Sequence, residues 1–338
     1  MIYYLFVIFV GLLSLALTFG LRRYAIARNI IDVPNSRSSH IVPTPRGGGV
    51  AIVFSFLLAD MVLLAAGVIS PPFFMAVFFP GILVATLGFV DDHGHVSARW
   101  RLLGHFAAAL GALFCFGDVP SISIAGFVIR SWYVCGVLAV FYLVWMINLY
   151  NFMDGIDGLA SVEALTVTLS AVFLYWLTGL GYLIWAPLVM AASVGGFLFF
   201  NFPPARIFMG DAGSGFIGLI LGVLSVSGAM AASQLLWSWI ILLGVFIVDA
   251  TYTLGRRLLH GERIYEAHRN HAYQSASRMH GSHLVVTMTV GLINICWLLP
   301  IAVLVACMKL EGSLGVVVAY VPLVILAHRY RAGLPEER

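Results

Sequence analysis

The chain has 338 residues, 61% of them hydrophobic and only 10% charged, with a mean hydropathy of +1.00 and a formal net charge of +3. That balance excludes a water-soluble core, and nucleic acid is not an expected partner. Apolar runs of about 18 to 22 residues recur, the length that crosses a bilayer as a helix. The expected fold is therefore an all-α polytopic integral membrane protein, one domain over 1–338.

Eleven spans are expected: 1–21, 48–69, 73–90, 102–117, 132–149, 159–177, 182–200, 213–230, 235–254, 284–307 and 314–330. The first run has no basic n-region and no small-residue cleavage site, so it reads as a retained span. Of the 18 basic residues, all but Arg130 and Lys309 fall in alternate loops or at the C-terminus. The positive-inside rule makes those loops cytoplasmic, the N-terminus periplasmic and the C-terminus cytoplasmic. Cys115, Cys135, Cys296 and Cys307 lie within apolar runs without paired spacing, which argues against disulfides and zinc.

The first cytoplasmic loop, 22–47, holds Arg37, His40 and Arg46 and leads into Gly47-Gly48-Gly49. Its basic residues suit a phosphate or the anionic inner leaflet. The glycines suit backbone approach to a ligand and close helix packing equally. The second loop, 91–101, opens on Asp91-Asp92 directly after a span; adjacent acids at a membrane boundary suggest a metal or a proton-handling role, with capping of the next helix as the plainer alternative. Residues 118–131, on the periplasmic side, alternate as a short hairpin around Gly126.

The densest stretch is 150–158, entered from Asn148. Asn148, Asn151, Asp154 and Asp157 recur every third residue, a spacing that drifts by about 60° per step on an ideal helix. Gly155 and Gly158 offer a break that would gather the four polar groups into one small volume. Carboxylates that close repel unless a cation lies among them, and a divalent metal with a phosphorylated ligand satisfies both.

Loop 201–212 carries Asp211 at the start of the next span, as a helix cap or as part of a phosphate seat at a helix N-terminus. Loop 255–283 contains Arg269 and His271, better read as an oxyanion clamp than as a zinc site, with His268 three residues before His271. Asp60, Glu163 and Asp249 are intramembrane acids and functional suspects by default. Glu163 and Asp249 are expected to share a cavity near the cytoplasmic edge; Asp60 has no assigned role.

These motifs, all on one face and in this order, resemble the polyprenyl-phosphate N-acetylhexosamine-1-phosphate transferase family. The resemblance runs from Asp32 to about His283, and Pro34-Asn35-Ser36-Arg37 with His40 is most similar to the O-antigen-initiating branch. It implies transfer of a sugar phosphate from a UDP-N-acetylhexosamine to undecaprenyl phosphate, with release of UMP, at the cytoplasmic face of a bacterial inner membrane. It also implies Mg²⁺, with Mn²⁺ as an alternative, held by Asn151 and Asp211. Asp91, Asp92, Asp154, Asp211 and His271 become the expected catalytic residues; Asp157 is matched to the uracil, and Arg269, Asn148, Arg37, His40 and Arg46 to substrate binding. Direct attack by the lipid phosphate and a relay through an aspartyl phosphate both fit. Membrane lipid and a homodimer are the expected partners, and a multi-span transporter is the competing reading.

Overall fold

The computed structural model describes residues 2–34, 39–40, 42–94, 96–262 and 269–334. Among them, fourteen α-helices follow in order: α1 (Ile2–Ala27), α2 (Gly49–Ala65), α3 (Pro71–His93), α4 (Ala98–Phe116), α5 (Trp132–Met153), α6 (Leu159–Leu177) and α7 (Trp185–Asn201). After them come α8 (Asp211–Ala231), α9 (Gln234–Leu242), α10 (Gly244–Leu259), α11 (Ala272–His280), α12 (His283–Ile293), α13 (Leu299–Ala306) and α14 (Gly312–Arg329). Each of the eleven apolar runs is helical. Eight segments are long and apolar enough to cross a membrane, and α9–α10, bent by 73°, makes a ninth if it counts as one span. The other two runs are α2, at 17 residues, and α4, whose first turn holds Arg99 and Arg101; neither belongs to that set.

The hub is α8. Nearly all of its residues are buried, and its inward-facing glycines and serines let α2, α3 and α5 come close. One close approach is at Gly49 of α2, where an added Cβ would stand 2.5 Å from the Gly213 Cα. Backbone bonds from Gly48 to the Phe208 carbonyl and from Gly49 to the Met209 carbonyl fasten the same junction. Helix packing, one of the two roles open to the glycine run, is thus the one the structure displays. On the other side, α1 lies against α7, where the Ser14 hydroxyl donates to the Ser193 carbonyl at 2.6 Å.

Two breaks in regular helix matter for the site. The bend at Leu243–Gly244 redirects α10. A π-turn over Asn294–Leu298 joins α12 to α13 and leaves the Asn294 side chain facing α6. There its amide donates to Glu163 at 2.7 Å and to the Thr166 hydroxyl at 2.8 Å. Two short strand pairs complete the fold. β1 (Ile31–Asp32) pairs antiparallel with β2 (Thr44–Pro45) in the first loop. The expected hairpin is β3 (Ile122–Ile124) with β4 (Phe127–Ile129), turning through Ala125 and Gly126, both at positive φ. It sits at the end of α5 opposite Asp154. The four cysteines stand as free thiols.

Candidate active site

At one end of the bundle the C-termini of α3 and α5 meet the N-terminus of α8, and the polar motifs converge there. α5 stops at Met153, with Asp154 leaving helical geometry and Gly158, at φ +72°, starting α6. Gly155 serves differently from expectation: its φ is not positive, but the Tyr273 hydroxyl packs where its Cβ would be, donating to the Phe152 carbonyl at 3.0 Å.

Asp92 is buried beneath the cleft. One oxygen accepts the Asp211 N–H at 3.0 Å and the other the Ala212 N–H at 3.2 Å, and Arg46 pairs with it through Nε at 2.9 Å and through Nη2. It therefore caps α8, not the helix that follows it in sequence. Asp211 itself is the first residue inside α8, behind Gly210, so the cap role weighed for it belongs to Asp92. Asp91 accepts from Val96 N–H at 2.9 Å and Arg101 at 2.5 Å. Both adjacent acids are thus tied to an arginine and to backbone N–H groups.

Asp154, Asp157, Asp211 and Asn151 line a polar cleft of about 290 Å³, together with Asp32, His40 and Arg46. Burial, then the carboxylates of Asp211, Asp92 and Asp157, push the Asp154 carboxyl well above the ordinary range, against the pull of Arg46. Asp157 goes the other way. Burial would raise it, but hydrogen bonds from His283 and from the Ala205 N–H, at 2.9 Å, hold it below the usual value. The Arg46 guanidinium is desolvated, yet Asp92 and Asp211 raise its pKa.

A second polar cavity of about 670 Å³ shares Ser39, His40, Asp157, Phe208 and His283 with the cleft and adds Arg269 and Arg278. Arg269 thus borders this cavity together with Asp157. His40 lies edge-on to Phe208, ring centroids 4.8 Å apart. On the opposite flank, an apolar groove of about 550 Å³ runs between α3, α4, α5 and α10, and its inner end reaches Arg101, Asn148, Asn151 and Asp211. Asn148 belongs to that groove, its amide donating to the Val144 carbonyl at 2.7 Å.

His271 is buried at the start of α11. Its Nδ1 lies 3.3 Å from Asp249, which also accepts the N–H groups of Ala272 and Tyr273, each at 2.9 Å. The α10 acid therefore orients His271 and caps α11 at once. It shares no cavity with Glu163, contrary to expectation: Glu163 faces Asn294 inside the bundle, and Asp60 is buried with both oxygens unpartnered among the described residues. Arg37 and His268 lie outside the described residues. Two contributors stand outside the residues that the sequence singles out: Arg101, which there is one of the basic residues of the alternate loops, and His283, which opens an apolar run after Ser282.

The profile of glycosyl transferase family 4 matches residues 74–229. The chain is 32% identical over 282 residues, 81% of its length and 76% of the relative, to a probable undecaprenyl-phosphate N-acetylglucosaminyl 1-phosphate transferase of Bacillus subtilis (strain 168). The chain belongs to glycosyl transferase family 4. Decaprenyl-phosphate N-acetylglucosaminephosphotransferases are also similar: that of Mycolicibacterium smegmatis is 30% identical over 325 residues, covering 84% of this chain and 79% of the relative. That of Mycobacterium tuberculosis is 27% identical over 323 residues, covering 84% and 80%. The matched segment of this family 4 chain contains Asp91, Asp92, the α5–α6 turn and Asp211.

No three His, Cys, Asp or Glu side chains among the described residues form a closed metal cage. The donor set still fits Mg²⁺, which keeps waters and takes one or two carboxylates plus substrate phosphates. Asp211 and Asp154 offer hard anionic oxygens in one cleft, and Asn151 directs its Nδ2 at Ser214 at 3.2 Å, leaving its amide oxygen as an acceptor.

Proposed function

We propose that this chain transfers N-acetylhexosamine-1-phosphate from a UDP-sugar to undecaprenyl phosphate, giving undecaprenyl-diphosphate-sugar and UMP. One observation carries the reading: the polar cleft and the apolar groove meet, and Asn151 and Asp211 border both. An anionic sugar nucleotide suits one compartment and a polyprenyl chain the other, with their phosphates joining at the shared residues. The groove lies between α3, α4, α5 and α10. The names of the relatives support the same substrate classes.

Asp211 and Asn151 would hold Mg²⁺, which when bound would supply positive charge against the donor's diphosphate. Asp92 and Arg46 fix the start of α8, and so the place of Asp211. Arg101 faces both Asp91 and the groove and offers its charge to the lipid phosphate. With Asp91 and Asp92 already paired, direct attack by the lipid phosphate anion is favoured over an aspartyl relay. Asp157 and His40 take the nucleoside, Arg269 lines the donor's far side, and His271 holds the last loop in place. The site faces the cytoplasm of a bacterial inner membrane in an eleven-span chain, and the product starts an envelope glycan such as O-antigen.

The test uses purified protein in nanodiscs with undecaprenyl phosphate, Mg²⁺ and a panel of UDP-N-acetylhexosamines, following UMP. Release that needs lipid and Mg²⁺ and vanishes in Asp211→Asn supports the reading and names the sugar. No UMP from folded protein with any donor sinks it.

A further inference from the structure

His283 is left without a role by the mechanism above, yet it stands where the two polar cavities meet and is only 18% exposed. Its Nε2 lies 3.2 Å from the Ser39 carbonyl oxygen, which can only accept. Nε2 must therefore carry a hydrogen. Its Nδ1 faces two groups of one residue: the Asp157 carboxylate at 3.2 Å and the Asp157 N–H at 3.4 Å.

The chemistry of the ring decides between them. A neutral imidazole with its hydrogen on Nε2 presents a lone pair at Nδ1, which accepts the N–H and repels the carboxylate. The imidazolium presents a second N–H, which the carboxylate accepts. The shorter distance is to the carboxylate. One turn along α12, the Thr287 hydroxyl donates to the Asp157 carbonyl at 2.8 Å. α12 thus grips this residue by side chain and by backbone, and through Ser39 it ties the first loop to the same point. The Ala205 N–H holds the other carboxylate oxygen.

We propose that His283 is a positioning residue for the nucleotide donor: as an imidazolium it bridges Ser39 and Asp157, fixing the Asp157 carboxylate as an acceptor for an N–H on the donor's heterocycle and holding the first loop against the cleft. The assignment rests on the donor reading above. The charged groups around the bridge are Asp157 and His40 beside it, Arg269 and Arg278 across the basic cavity, and Asp32, Arg46, Asp154 and Asp211 across the cleft. The lowered pKa of Asp157 fits a carboxylate that stays ionised opposite a cation. When the ring loses its proton it changes partner to the Asp157 N–H, the carboxylate is released, and donor binding weakens. The lipid groove, on the opposite flank, contains none of these contacts.

The experiment uses the full chain in nanodiscs. It measures UDP-N-acetylglucosamine binding with Mg²⁺ by calorimetry, and KM for donor and for lipid separately, from about pH 6 to 9. In the wild type the donor KM rises on the alkaline side and the lipid KM does not. His283→Gln supplies one donor and no charge, so its donor KM is about tenfold higher at the acid end, the effect of one charge-assisted hydrogen bond, and does not respond to pH. Thr287→Val, which loosens α12 but keeps the ring, weakens donor binding and keeps the pH response. A His283→Gln protein with the wild-type donor KM and pH profile overturns the assignment. So does one in which donor and lipid KM rise together with a fall in Tm, since that is a packing defect. A wild type that neither binds the donor nor releases UMP refutes the proposed function instead.

Discussion

The closest crossing in the catalytic end of the bundle lies at Gly88, one turn before Asp92 on α3, and replacing it with alanine isolates the geometry of Asp211 from its chemistry. An ideal Cβ there would stand 2.5 Å from the Ala212 nitrogen, the Asp211 carbonyl carbon and its oxygen. Ordinary contacts of a Cβ begin near 3.4 Å, so the helices must part by about 0.9 Å. Backbone cannot rotate away as a flexible side chain can. Overpacking of this kind costs roughly 1–3 kcal/mol. The larger effect is functional: a shift of about 1 Å in a reacting group costs on the order of 100-fold in rate, and here the shift acts on Asp211 and on its cap from Asp92. Gly88→Ala is therefore expected to lower kcat for UMP release by about 100-fold with a modest loss of Tm. Gly136→Ala, where nothing lies within 4 Å, is the control and is expected to keep full activity. Wild-type turnover and Mg²⁺ dependence in Gly88→Ala would refute the claim that this crossing sets the place of Asp211.

Three further outcomes follow from the same geometry. The Asp154 carboxyl is raised in the folded state, so the native protein holds a proton that the unfolded chain gives up; its contribution is complete below the unfolded pKa and is lost as pH rises toward the folded one, by at most about 1.4 kcal/mol per pH unit. Tm in EDTA should fall with pH above about 4, less steeply in Asp154→Asn and less steeply with Mg²⁺; a slope unchanged by either would count against a shared cation cleft. Asp249→Asn keeps one acceptor for the α11 amides but offers His271 a weaker partner, so activity should fall by about tenfold or more with little change in Tm, and additively worse loss in the His271→Asn background would show that Asp249 acts by packing alone. Glu163→Gln keeps an acceptor for Asn294 and should be near neutral, whereas Glu163→Leu removes one of the two acceptors of the buried Asn294 amide, leaving only Thr166, and should cost roughly 1–3 kcal/mol, both read as Tm in detergent.

Much of this arrangement is legible in the sequence because the bilayer forces it. Apolar length reveals the helices, and the three-residue spacing from Asn148 to Asp157 announces a polar helix end. What spacing cannot reveal is which polar group faces which. Asn148 and Asn151 are three residues apart, yet one serves the groove and the other borders both compartments, because their helix rotates between them and α8 packs on one side only. Asp92 and Asp211 are separated by 119 positions, and their roles as cap and capped exchange relative to the local reading because α3 and α8 touch at Gly88. Asp249 reads as an intramembrane charge until the bend at Gly244 delivers it to α11. His283 and Ser39 are 244 residues apart, and no local pattern joins them.

The charges of the site then balance in a particular way. Five aspartates approach one another at the meeting of α3, α5 and α8, but three have cationic partners: Asp91 with Arg101, Asp92 with Arg46, and Asp157 with His283. Asp154 and Asp211 are less directly paired: Arg101 stands 3.9 Å from Asp211, and Arg46 acts on both from across the cleft. Two carboxylates sharing so little positive charge oppose each other, in line with the raised Asp154 pKa. A divalent ion held there would balance that pair, and water and phosphate oxygens would complete its shell. Asp32 also lines the cleft, so each further unpaired aspartate adds to the negative charge that repels an incoming diphosphate. Arg46 and Arg101 are therefore as necessary to anion binding as the acids are to the cation. Removing Arg46 should weaken donor binding through the charge it leaves on Asp92, even where the fold survives.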